Sequence, residues 1–225
     1  MADVSQRSEL RSVARPKQAR SLETQERLLV AAEQLIEAKG LSDVSVPEIV
    51  AQAGSSVGGF YARFRDKDAL LRALEERFFQ DVQGRLDLLA PPERWAGASI
   101  PAIVLPWVTE LITTFRRREA LIRCFQLRAA RDPKSFEDGR RFRLEVSERI
   151  SALLMVRRGE IRHPDPERAI DLAVQLGFAF MEQASLLGDV RAGGRVLSET
   201  EIIDEFTRIF LAYLGIAIDG PGPRA

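Results

Sequence analysis

The chain has 225 residues, no net formal charge, 45% hydrophobic and 29% charged side chains, proportions of an ordinary globular protein large enough for one sizeable domain or two modest ones. Its single cysteine, Cys124, excludes an intrachain disulfide framework; no uninterrupted apolar run approaches the ~18–20 residues of a membrane span, and the polar N-terminus lacks the apolar block of a signal peptide. The expected compartment is a reducing cytoplasm, and because zero net charge does not point to nucleic acid, that partner has to be read from individual residues.

Residues 1–20 read as a flexible tail, basic through Arg11, Arg15, Lys17 and Arg20. Leu28, Ala32, Leu35 and Ile36 recur with helical period and predict a first helix from about Leu22 to Lys39, stopped by Gly40. Ser45 and Glu48 are spaced as a capping box, with Pro47 tolerated in the first turn, so a short second helix follows and ends at Ala53–Gly54. Ser56 caps a third helix running through Phe64, and Asp66 a fourth reaching about Leu89. Pro91, Pro92 and Gly97 break the pattern. Longer helices are predicted at about 100–117, 119–131, 134–158, 166–188 and 199–217, with a loop at 191–195 between the last two. The expected fold is all-α, about nine helices: a flexible tail at 1–20, a three-helix domain at 21–66, a larger helical domain at 67–218 and a disordered end at 219–225.

The functional signal lies in residues 45–67. Two short helices joined by the tight turn Ala53-Gly54-Ser55-Ser56 have the form of a helix-turn-helix. The second of them, Val57 to Phe64, carries Gly58 and Gly59, each costing roughly 1 kcal/mol relative to alanine. Phe60 and Phe64, spaced i and i+4, pin one face to a core and leave Val57, Gly58, Tyr61, Ala62 and Arg63 facing elsewhere. A bare, small N-terminal end brings backbone close to base edges and phosphates, so the glycines read as contact positions. Lys67 stands in the first turn of the fourth helix, where the macrodipole disfavours a cation; either a DNA phosphate meets it there or Asp66 and Asp68 neutralise it.

Taken together, Ala53-Gly54-x-Ser56-x-Gly58-x-Phe60-Tyr61-x-x-Phe64-x-x-Lys67-x-x-Leu70-Leu71, with Ser45-Val-Pro-Glu-Ile-Val50 upstream, resembles the DNA-binding signature of the TetR (tetracycline repressor) family over about residues 22–72. The resemblance implies phosphate contacts from Ser45, Tyr61 and Lys67, a recognition helix beginning at Ser56, and base reading by Val57, Gly58, Gly59 and Arg63, with Ala62 on the same face. Val57 and Ser55 depart from the residues common at their positions, and an apolar Val57 suits a thymine methyl better than a guanine. Arg20, nearest the folded domain, either reaches the adjacent DNA or belongs to a solvated tail.

The resemblance also implies a homodimer on a palindromic operator and a small-molecule site in the C-terminal domain. Ala169, Leu172, Ala173, Leu176, Gly177, Phe180 and Ala184 form one stripe, and Ile202, Phe206, Ile209, Phe210 and Tyr213 another, suited to a four-helix dimer interface or to packing within the subunit. Trp107, Leu111, Phe115, Phe125, Phe142 and Met155 supply bulky surface for a ligand or simply for a core. A basic surplus in residues 91–165 tilts the expected ligand towards a hydrophobic or anionic compound. A regulator controlled by a protein partner is the second reading. A helical enzyme is the distant third: His163 has no metal-ligand spacing, Cys124 sits in an apolar helix, no Gly-rich phosphate loop occurs, and no cofactor is implied.

Overall fold

The computed structural model describes residues 19–217. Its helices are α1 (Ala19–Lys39), α2 (Val46–Gln52), α3 (Val57–Tyr61), α4 (Lys67–Asp87), α5 (Ile100–Arg117), α6 (Glu119–Ala129), α7 (Pro133–Met155), α8 (Pro166–Leu187) and α9 (Glu199–Tyr213), with short 3-10 turns at 41–43, 92–95 and 158–160. The all-α expectation holds among the described residues with one local exception. The stretch between α8 and α9 is a small hairpin of β1 (Arg191–Ala192) and β2 (Arg195–Val196). Its two central residues, Gly193 and Gly194, have φ of 57° and 78°, the left-handed pair that a tight hairpin turn demands. The basic tail, including the side chain of Arg20, and residues 218–225 lie outside the described residues.

Packing divides the chain between Gln83 and Gly84. In the first unit α1 lies against α2 and α3, and Leu28, Leu29, Ile36, Ile49, Phe60, Phe64, Leu70 and Leu74 make a sealed core. Arg77 of α4 reaches α1, pairing with Glu26 at 3.2 Å and also with Glu33. In the second unit α5 runs along α9, α7 along α8, and α6 against α7 and α8. Phe178 of α8 stands edge-on to both Phe115 of α5 and Phe142 of α7, each 6.3 Å away between ring centres, the offset geometry aromatic pairs favour.

A polar seam runs beside this aromatic row. Arg143 pairs with Glu182 at 3.1 Å, Ser147 donates to Asp171 at 2.7 Å, and Ser185 donates to Gln126 at 3.0 Å. Burial raises the Glu182 pKa against the pull of Arg143. α8 is long and apolar enough by length and composition to cross a bilayer, but Glu167, Arg168, Asp171 and Glu182 interrupt it, so it is no uninterrupted apolar run. Its polar residues at this seam, with Ala169, Ala173 and Gly177 packed inward, suit a core helix of the bundle.

Candidate nucleic-acid interface

The geometry of residues 45–67 follows from three local devices. Ser45 has extended backbone and begins α2 with a complete capping box: the Glu48 N–H donates to Ser45 Oγ, and Glu48 accepts from the Ser45 N–H at 2.9 Å. Lys39 also donates to Glu48 at 2.5 Å, and this bond, followed by those from Ser45, holds the Glu48 pKa at about 2. Gly54, at φ 56°, turns the chain out of α2. Ser56 then caps α3, its Oγ accepting from the Gly59 N–H at 3.0 Å.

α3 is shorter than the predicted 57–64, because a glycine-rich segment has little helical propensity of its own. Phe60 and Phe64 are fully buried and hold it from one side. On the other side Val57 is 49% exposed and Tyr61 55%, with Gly58 and Ala62 also in the open. The two glycines differ. A Cβ on Gly58 would meet nothing nearer than Ser56 Oγ at 4.0 Å, so nothing in the chain requires glycine there. A Cβ on Gly59 would lie 2.8 Å from Ser55 Oγ and 3.2 Å from Ser56 Oγ. Gly59 therefore makes room for the cap, whereas Gly58 leaves bare backbone on the outer face.

Two of the three cations expected at DNA, Arg63 and Lys67, are engaged within the chain. Arg63 donates to the Ser21 carbonyl at 3.1 Å, to Ser21 Oγ at 3.2 Å and to the Gly59 carbonyl at 2.8 Å. Lys67 donates to the carbonyls of Val44 at 2.5 Å and Leu41 at 3.0 Å. A cation in a helix first turn is thus explained by acceptors on a neighbouring turn, an arrangement that sequence spacing does not reveal. Asp66 caps α4 through the Ala69 N–H at 2.7 Å, which with the Arg65 guanidinium lowers its pKa. Arg65, passed over in the sequence, has 84% of its side chain exposed beside that carboxylate; the signal was a lone cation between Phe64 and the α4 cap.

In the second unit Trp107, Phe115, Phe125 and Phe142 are buried, and Leu111 and Met155 half-buried. Trp107 Nε1 is a buried donor with no acceptor in the described chain. The residues expected at a dimer face separate into two sets. Ala173, Gly177, Phe206 and Phe210 are buried in their own subunit: a Cβ on Gly177 would fall 3.1 Å from both Leu111 and Phe206. Phe180 and Tyr213 are exposed, and Ala184 half-buried. The exposed apolar line is Leu172, Leu176, Phe180 and Leu187 on α8, with Ile209 and Tyr213 on α9.

Comparison with known proteins agrees with this geometry. Residues 28–74 match the family described as bacterial regulatory proteins, tetR family. An uncharacterized HTH-type transcriptional regulator, YvdT of Bacillus subtilis, is 38% identical over 65 residues. That match takes in 27% of this chain and spans about a third of the relative, 34% of its length. The fold extends further than the sequence likeness. A tetR-family regulatory protein from Rhodococcus RHA1 superposes with a TM-score of 0.64 at 21% identity, over 87% of this chain and 98% of its own. A TetR transcription regulator from Haloarcula marismortui gives a TM-score of 0.68 at 14% identity, over 86% and 97%. The tetR-family match thus covers the helix-turn-helix segment at residues 28–74, and the all-helical fold of the chain is that of the two solved regulators.

Proposed function

We propose that the protein is a homodimeric, sequence-specific DNA-binding transcriptional repressor, released from a palindromic operator by a small hydrophobic or anionic ligand bound in its second unit. The observation that carries the DNA-binding part is the outer face of α3: a capped, core-anchored helix whose exposed side is bare backbone and small side chains, the form suited to entering a major groove. Tyr61 and Arg65 stand exposed around it as donors for phosphate oxygens, and Ser45 is exposed beside them with its hydroxyl donating to Glu48 at 2.7 Å.

Dimerisation is supported by the exposed line of α8 and α9, since contiguous large apolar side chains on a water-facing surface mark a contact site. Ligand binding is supported by Trp107, whose buried donor lacks a partner in the chain and so suits a ligand oxygen. Within the second unit, the C-terminal end of α4 is tied to the body by Arg85 with Glu110 at 2.6 Å and by Asp87 with Arg149 at 3.0 Å. α4 begins with Lys67, so a ligand that prefers one arrangement of the body biases the helix leading back to the reading head.

Selection of retained duplexes from a random library at two salt concentrations tests the reading. A palindrome should be enriched, with affinity falling steeply as salt rises. Failure to enrich any sequence at low salt, with or without cell extract, removes the proposal. Enrichment that no small molecule reverses would leave control by a protein partner.

A further inference from the structure

Major-groove readers most often identify guanine with an arginine or lysine bridging O6 and N7, adenine with asparagine or glutamine, and thymine by apolar contact with its C5 methyl group. Which of these α3 can use depends on the side chains it presents. The only cation of the helix or its immediate C-terminal flank through Phe64 is Arg63, and its position in the fold settles its role. The Arg63 N–H bonds to the Phe60 carbonyl, leaving the Gly59 carbonyl without a regular helical donor. The Arg63 guanidinium supplies one at 2.8 Å while its other nitrogens hold Ser21 at the start of α1. Turning Arg63 towards a base edge would break three hydrogen bonds and remove the donor to the Gly59 carbonyl in a helix already weakened by two glycines.

With Arg63 withdrawn, the outer face consists of Val57 and Tyr61, one turn apart, and of Gly58 and Ala62 beside them. It has no charge. Ser56 Oγ accepts in the cap and sits at the helix start, so Tyr61 contributes the side-chain hydroxyl of the face itself. No Asn or Gln lies between Gly54 and Phe64. Gly58 has no Cβ contact within the chain to justify it, and its bareness lets Val57 and Ala62 approach a base pair without obstruction.

We infer that α3 reads its operator through thymine methyl groups contacted by Val57 and Ala62, and that Arg63 is a positioning residue which holds the helix in place for that reading. This rests on the helix-turn-helix binding duplex DNA, and the experiment separates the two. A duplex retained from the random library is remade with each thymine in turn replaced by deoxyuridine, which lacks only the C5 methyl, and each guanine by 7-deazaguanine, which lacks the N7 acceptor. Binding of the unmodified protein is measured to every duplex.

The expected result is a loss of about fourfold at one or more thymines in each half-site, the value of burying one methyl-sized group. The same loss should shrink in Val57→Ala or Ala62→Gly. Guanine changes beneath α3 should have little effect. Insensitivity to every deoxyuridine, or a loss of about tenfold or more at a 7-deazaguanine in the half-site, overturns the inference while leaving the DNA-binding reading intact. If no duplex is retained at all, it is that underlying reading that falls.

Discussion

At the scale of single residues, the two glycines of α3 carry opposite expectations. Gly58 sits in a helix with open space where its Cβ would be, so Gly58→Ala should stabilise the protein by roughly 0.5–1 kcal/mol through helix propensity. The same methyl projects into the face proposed to meet DNA, so operator affinity should fall although the protein becomes harder to unfold. A thermal melt and a binding titration on one variant check both halves, and a Gly58→Ala protein that binds at least as well would remove Gly58 from the interface. Lys67 gives the converse test. Its ammonium serves two carbonyls of the 41–44 turn, and Lys67→Met should cost about 1.5–3 kcal/mol of stability, the range for hydrogen bonds to charged groups. If Lys67 neutralised a phosphate, the slope of log affinity against log salt would become shallower by about 0.9 in the variant. The geometry predicts an unchanged slope.

At the scale of elements, the caps explain why so much of the fold was legible. Ser45 with Glu48 announced α2, Ser56 announced α3 and Asp66 announced α4, because a capping side chain and the N–H groups it serves are neighbours in sequence. Glycine at 193 and 194 carried a hairpin signal too, but each strand is only two residues long and has no alternating pattern to announce it. The commitments of Arg63 to Ser21 and of Lys67 to the 41–44 turn were illegible for another reason: those acceptors lie 42 and 23–26 residues away. The same limit applied to the α8 stripe, where the sequence gives the period of Ala173, Leu176 and Gly177 but not which of them faces the subunit's own α5 and α9.

The two complete capping boxes also set a pH dependence. Glu48 and Glu201 have pKa values lowered from 4.5 to about 2, chiefly by Lys39 and Arg195 respectively and then by the serine that each one caps. A carboxylate with a depressed folded-state pKa contributes stability that is fully present above about 4.5 and disappears as pH falls through about 2. Glu48→Gln and Glu201→Gln should each flatten the loss of stability across that window, followed as denaturation midpoints at fixed ionic strength. An unaltered pH profile in the double variant would mean that these boxes do not set it.

At the scale of the whole molecule, the sharpest contrast lies between neighbours 176 and 177 on α8. Leu176 is 52% exposed, so glutamate there should leave the subunit folded. In a twofold interface the new charge would be buried twice, once from each copy, without a compensating cation. Leu176→Glu should therefore sediment as a monomer while keeping its helical circular dichroism. Its affinity for a two-half-site operator should fall by about 10²-fold or more, because the second half-site is no longer bound intramolecularly. Gly177→Ala acts on the other face, where the added methyl must displace the Leu111 and Phe206 side chains. Overpacking of that kind typically costs 1–3 kcal/mol, so this variant should melt earlier and still sediment as the wild type does. If both substitutions altered assembly alike, the division of α8 into an inward and an outward face would be wrong. If Leu176→Glu remained dimeric, the interface would have to be sought on another surface, leaving the exposed line of α8 and α9 without a role.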